Sequence, residues 1–128
     1  MHRRYTSGEF LNACAMLREA FEDCALTTDV MTGFPGETEE DFEDTLSLCR
    51  EIGFSSAFTF IYSKRSNTPA ASFDGQISEE IKKERIMRLI EVVEDEARKV
   101  SEGYLGKNYE VLVESISRRD AGMLSGRT

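Results

Sequence analysis

Leu26-Thr27-Thr28-Asp29-Val30-Met31-Thr32-Gly33-Phe34-Pro35-Gly36-Glu37-Thr38-Glu39-Glu40-Asp41-Phe42 is the stretch that decides the fold. Together with Ala25, its first part up to Thr32 is β-branched and semi-apolar on both alternating faces, as in a strand covered on both sides. Gly33-Phe34-Pro35-Gly36 stops that strand. Thr38 then caps a helix whose first turn holds Glu39, Glu40 and Asp41, where carboxylates oppose the positive end of the helix dipole. Phe42, Leu46, Cys49 and Ile52 form its apolar stripe, and Gly53 supplies a left-handed C-cap. Ser56 to Tyr62 reads as a second buried strand. A strand, a crossover helix of about 14 residues and a strand demand parallel pairing with a right-handed crossover.

Upstream, Thr6-Ser7-Gly8-Glu9 is a capping box, and Phe10, Cys14, Leu17 and Phe21 place one apolar stripe on the helix it opens. Glu22-Asp23 is expected to end that helix. Downstream, after an irregular stretch from Ser63 to Gln76, Ser78 caps a long helix with apolar Ile81, Ile86, Leu89, Ile90, Val93, Ala97 and Val100. Gly103 or Gly106 ends it. Tyr109 to Ile116 alternates in the manner of an antiparallel strand, and Asp120-Ala121-Gly122 reads as a turn with no return strand expected beyond it. Two parallel strands do not complete a sheet, because such strands need neighbours at their edges and cover on both faces. The chain therefore reads as cut at both ends.

Composition agrees with a folded domain or a piece of one: 128 residues, 40% hydrophobic and 31% charged, exclude collagen-like and wholly disordered chains. A compact globule of this mass would expose roughly 6,900 Å². No apolar run approaches the ~18 residues of a membrane helix, and no signal-peptide core follows Met1, so the expected compartment is the cytoplasm. The net charge of -8 argues against whole-surface attraction to nucleic acid or anionic membrane. The imbalance is uneven: ten basic and 20 acidic residues precede Arg98, whereas six basic and four acidic residues lie from Arg98 onward. That border suggests a change of unit.

The Gly33 to Thr38 loop lies at the carboxyl end of a parallel strand and at a helix start, where α/β sheets place ligands. An ordinary tight connection would carry the same punctuation. Asp29 says more, because a carboxylate in an apolar strand must be hydrogen-bonded, paired or facing a wet cavity. Thr27, Asp29, Met31 and Gly33 share one face of the strand, so a polar-lined cavity edge is expected there. The six carboxylates between Glu37 and Asp44 lack the spacing of a calcium loop. Cys14, Cys24 and Cys49 have no metal-ligand spacing, and Cys14 and Cys49, on apolar helix faces, read as small buried hydrophobes. With one histidine, His2, and no paired base, no nucleophilic triad, catalytic residue or metal ligand is assigned.

Met1-His2-Arg3-Arg4-Tyr5-Thr6, the Leu26 to Phe42 stretch, and Ala57-Phe58-Thr59-Phe60-Ile61-Tyr62-Ser63-Lys64-Arg65 with Thr68-Pro69-Ala70 together resemble the radical S-adenosylmethionine methylthiotransferases. Gly106-Lys107 to Gly126-Arg127-Thr128 resembles the opening of the TRAM domain of that family. The resemblance implies an α/β fold: the C-terminal strand-helix units of a partial (β/α)6 barrel over residues 1–103, then the first strands of a small β-barrel over 104–128. It implies S-adenosylmethionine across the carboxyl mouth of the barrel, with Asp29, Met31, Gly33, Phe60 and Tyr62 bordering it. It also implies contacts to RNA or substrate from Arg3, Arg4, Arg65, Lys107 and Arg127.

The nearest pattern is the tRNA branch, which adds a methylthio group to C2 of N6-isopentenyladenosine at position 37 in the anticodon loop. The alternatives are the threonylcarbamoyladenosine and ribosomal-protein branches, or a non-catalytic RNA-binding piece. In this family reductive cleavage of S-adenosylmethionine is followed by hydrogen abstraction, sulfur insertion and methyl transfer. Two [4Fe-4S] clusters take part, but their cysteines belong to regions outside this chain, so the chain alone is expected to be inactive without its N-terminal portion. Ser66-Asn67 also stands where the family usually has Pro-Gly.

Overall fold

A computed structural model describes residues 3–21 and 23–127, leaving Met1, His2, Glu22 and Thr128 outside the described residues. The expectations resting on His2 and on Glu22 as a helix end therefore fall outside it. Helix α1 is Ser7–Ala20, β1 Thr27–Thr32, α2 Glu39–Ile52, β2 Ser56–Ile61, α3 Glu79–Glu102, β3 Leu112–Ile116 and β4 Leu124–Arg127. A short 3₁₀ turn, Pro69–Ser72, lies between β2 and α3.

Local chemistry explains these boundaries. The Thr6 hydroxyl accepts from the Glu9 amide while the Glu9 carboxylate accepts from the Thr6 amide. Thr38 and Asp41 repeat the same reciprocal cap on α2. Gly53 closes α2 at φ 62°, a left-handed conformation that costs glycine nothing. Ser78 caps α3 by accepting from the Ile81 amide.

Strands β1 and β2 run parallel, with Thr27 opposite Ser56, Asp29 opposite Phe58 and Met31 opposite Phe60. All three helices contribute to one core on one side of this pair: Cys14 from α1, Phe42, Leu46, Cys49 and Ile52 from α2, Leu89 and Val93 from α3, with Leu26 and Phe54 from the connections. Val30 and Ala57 pack against it from the strands.

Several expectations need correction. The strands are not covered on both faces: Thr27, Asp29 and Met31 of β1 and Ser56, Phe58 and Phe60 of β2 are exposed, because no described element lies over that side. The chain exposes 9876 Å², well above the compact value of roughly 6,900 Å². On α1 the stripe fails beyond Cys14: Leu17 and Phe21 are exposed, and the last turn is tied to the α2 C-cap by the Arg18 guanidinium on the Gly53 carbonyl rather than by apolar packing. On α3 Ile81 is exposed, and the buried positions ahead of Leu89 are Lys82 and Arg85. The turn after Ile116 does have a return strand, β4, paired antiparallel with β3. Leu-Ser-Gly-Arg has weak strand propensity and hid it.

Candidate cofactor cleft

The two loops that follow the parallel strands enclose a cleft of about 320 Å³ lined by Met31, Phe34, Phe60, Tyr62, Arg65 and Thr68, among others. Four residues singled out in the sequence, Met31, Phe60, Tyr62 and Arg65, thus meet at one place. Strand register explains the first two, since Met31 and Phe60 are direct partners on the uncovered face. Tyr62 lies one residue beyond β2, and its amide donates to the Thr32 carbonyl at 2.9 Å. Its ring is buried, meeting Phe34 edge-on at 5.2 Å between centroids and lying 5.6 Å from the Lys82 ammonium. Among the described residues the Tyr62 hydroxyl is buried without a hydrogen-bond partner. A buried phenol normally finds one, so this atom marks a place where a polar ligand group would be satisfied.

The Gly33 to Thr38 loop forms the adjoining wall. Gly33 sits at φ 78° and Gly36 at φ 83°. At Gly33 there is also no room for a side chain, because a Cβ would lie 2.6 Å from Lys82 Cγ. Glu37 holds the loop: its Oε1 accepts from the Gly33 amide at 2.9 Å and from the Thr32 hydroxyl at 3.1 Å. The same oxygen accepts from Arg85 Nη1 at 2.7 Å. Gly36 donates to the Gly75 carbonyl at 2.9 Å, and Phe73 stands edge-on to Phe34 at 6.3 Å. Glu37, Lys82 and Arg85 were not singled out in the sequence. Glu37 sat inside an acidic run that reads as helix-start chemistry, and a lysine and an arginine on a long charged helix carry no signal of burial.

The remaining residues stand apart. Asp29 is exposed two residues before Met31, outside the cleft lining, so the expected polar cavity edge does not include it. Arg3 and Arg4 are exposed ahead of α1. On the hairpin, Arg127 makes an ion pair with Glu114 at 2.7 Å. Lys107 lies 3.6 Å from Asp23, whose charge pushes the lysine above its usual range. Cys14 and Cys49 are buried in the core, where burial raises the Cys49 thiol above the ordinary range. Among the described residues no group of three or more His, Cys, Asp or Glu side chains is arranged to hold a metal ion. No described helix is long and apolar enough to cross a membrane.

Residues 1–49 match the model of the radical SAM superfamily. Over all 128 residues the chain is 47% identical to the tRNA-2-methylthio-N(6)-dimethylallyladenosine synthase of Acetivibrio thermocellus, covering 100% of this chain and 27% of that protein. The synthase of the same name from Caldicellulosiruptor saccharolyticus is 48% identical over 128 residues, again 27% of its length. That of Lachnoclostridium phytofermentans is 47% identical over 127 residues, 99% of this chain and 28% of that protein. The chain thus spans about a quarter of the length of the curated relatives it matches. Parallel strands, a Gly-Phe-Pro-Gly turn with both glycines left-handed at the carboxyl end of β1, and 47% identity over all 128 residues make the chain similar, along its whole length, to the tRNA-2-methylthio-N(6)-dimethylallyladenosine synthases.

Proposed function

We propose that this chain forms the C-terminal part of the barrel, and the start of the TRAM domain, of an enzyme that adds a methylthio group to C2 of N6-isopentenyladenosine at position 37 of tRNA. The observation that carries this reading is the 47% identity, over 127 to 128 residues, to synthases named for 2-methylthio-N(6)-dimethylallyladenosine in tRNA. The cleft supports the cofactor assignment. Its Met31, Phe34 and Phe60 offer an apolar slot for a purine, and the Tyr62 hydroxyl offers a donor that lacks a partner.

S-adenosylmethionine supplies the hydrogen-abstracting group and the methyl group when bound. The chain's own residues do simpler work: they bind the nucleoside end, orient it through the fixed Gly33 turn, and exclude water with Phe34 and Tyr62. The described cysteines do not fit a [4Fe-4S] cluster, two of them being buried in the core, so no step is assigned to them. Asp29 on the open face, with Phe58 opposite, would border the cofactor where the remaining strands of a barrel close over that face. Arg65 at the mouth and Arg3, Arg4, Lys107 and Arg127 at the surface are assigned to tRNA, where phosphate contacts position and do not specify. That reaction belongs in the cytoplasm, where tRNA is found.

Expressing the whole protein that carries this chain in a bacterium lacking tRNA methylthiolation, followed by nucleoside mass spectrometry, tests the reading. The expected product is the 2-methylthio derivative of isopentenyladenosine. Methylthiolated threonylcarbamoyladenosine or a methylthiolated ribosomal protein would replace the substrate, and no modified product in any of these pools would overturn the enzyme reading.

A further inference from the structure

Two charged side chains of α3, Lys82 and Arg85, are buried although α3 is a charged helix with ample solvent-facing surface. Arg85 is only 6% exposed and reaches back to residues 37 and 39. Its Nη1 donates to Glu37 Oε1 at 2.7 Å and to the Glu37 carbonyl at 3.2 Å. Its Nε and Nη2 donate to Glu39 Oε2 at 3.2 and 3.1 Å. This uses the planar fork that distinguishes arginine from lysine. Glu37, 13% exposed, passes the constraint on to the Gly33 amide and the Thr32 hydroxyl. Lys82 lays its stem on Gly33 and its ammonium by the Tyr62 ring, so α3 touches both walls of the cleft.

We infer that Arg85 is a positioning residue for the cleft: through Glu37 it fixes the Gly33 peptide, and with it the Phe34 ring that faces Tyr62. The identity of the ligand rests on the S-adenosylmethionine reading above; the positioning does not. A buried ion pair contributes little net stability compared with an apolar pair, and its value lies in the one geometry it permits. Glu37 Oε1 takes three donors at once, so losing the guanidinium leaves a carboxylate that swings toward water and releases the Gly33 amide.

The test is nuclear magnetic resonance on the whole protein that carries this chain, selectively labelled, following amide exchange at Gly33 and resonance shifts of Met31, Phe60 and Tyr62 on titration with S-adenosylmethionine. Arg85→Lys keeps the charge and removes the fork. The double variant Glu37→Gln with Arg85→Met removes both buried charges together and serves if the single variant fails to fold. Arg88→Met is the control, since Arg88 pairs with Glu39 and Glu43 but not with Glu37. The expected result is that Arg85→Lys leaves the Leu89 and Phe42 resonances in place, speeds Gly33 exchange and weakens S-adenosylmethionine binding about tenfold. Arg88→Met changes neither. Unchanged Gly33 exchange in both Arg85 variants overturns the inference, and so does unchanged affinity with faster exchange. If the unsubstituted whole protein shows no shift with S-adenosylmethionine, the cofactor reading fails instead, and Gly33 exchange alone decides the positioning.

Discussion

Phe58 lies directly across the parallel ladder from Asp29, and both project from the face of the sheet that carries no helix. With Phe60 beside Met31, this puts two phenylalanines, 71% and 48% exposed, on one side of a two-stranded sheet. A contiguous apolar patch of this kind is uncommon on monomeric soluble proteins and marks a surface made to be covered.

The isolated chain is therefore expected to associate through this face and to unfold with low cooperativity. Phe58→Thr removes exposed apolar area from a strand position without touching the core, so its effect on stability stays within about 0.5 kcal/mol. Sedimentation velocity should show less self-association than in the unsubstituted chain. A strictly monomeric unsubstituted chain that melts cooperatively at a midpoint typical of mesophile domains would contradict the expectation.

The core is the opposite case. Phe42 is fully buried at the centre of the helix layer, with the guanidinium carbons of Arg85 and Arg88 5.4 and 4.9 Å from its ring centroid. Phe42→Ala should cost about 3 to 5 kcal/mol, the range for deleting a buried aromatic ring and leaving its cavity. Because so small a core has little stability to spare, the expected outcome is that the shallow urea transition of the unsubstituted chain, seen by circular dichroism, disappears. Phe42→Leu should keep a transition, shifted to lower urea.

How much of this was legible in the sequence follows from the kind of interaction involved. Caps and periodicity are local, so Thr6, Thr38, Gly53 and Ser78 and the stripe on α2 were readable from spacing, and the parallel pairing followed from the crossover helix. The exposed strand face was not, because an apolar strand looks the same whether its cover lies in the same chain or elsewhere. Nor was the Glu37-Arg85 clamp, which joins residues 48 apart and depends on which turn of α3 faces the loop. The cleft falls between: Met31 followed from same-face alternation, whereas Phe60 and Tyr62 came through the family resemblance, and the packing of Phe34 and Lys82 against the Tyr62 ring joins residues that spacing does not connect.

Acid should weaken the helix starts. Hydrogen bonds from the Thr38 hydroxyl hold Asp41 below the usual carboxylate range, those from Thr6 do the same for Glu9, and Arg88 does so for Glu39. A folded-state pKa below the unfolded one means that the unfolded chain binds more protons, so stability rises with pH through that window. The contribution is complete above the ordinary carboxylate range of about 4 and is lost as pH falls through the lowered values. Thermal midpoints are expected to drop steadily below roughly pH 4. Thr38→Val should flatten part of this slope while lowering stability at neutral pH by about 1 kcal/mol, the usual worth of an N-cap. A midpoint that stays constant from neutral pH down to pH 3 would refute the assignment.

The hairpin gives a sharper steric test. Gly126 of β4 pairs with Val113 of β3, and a Cβ built at Gly126 would lie 2.4 Å from the Leu112 carbonyl oxygen and 2.8 Å from Val111 Cγ1. The first neighbour is backbone and cannot rotate away, so any side chain must push the strands apart just where the ladder slips register between Val113 and Ser115. Gly126→Ala is expected to break the β3-β4 pairing while leaving the β1-β2 layer intact, because the hairpin residues are all exposed and absent from the core. Chemical shifts of Leu112 to Ile116 should move toward unfolded values while those of Val30 and Ala57 stay fixed. If Arg127 contributes to tRNA binding, the same substitution should lower affinity for tRNA in the whole protein and reduce its salt dependence, since displacing the strand removes a cationic contact. Gly126→Ala with the hairpin shifts unchanged would show that the backbone at Leu112 yields more readily than its hydrogen-bonded strand allows.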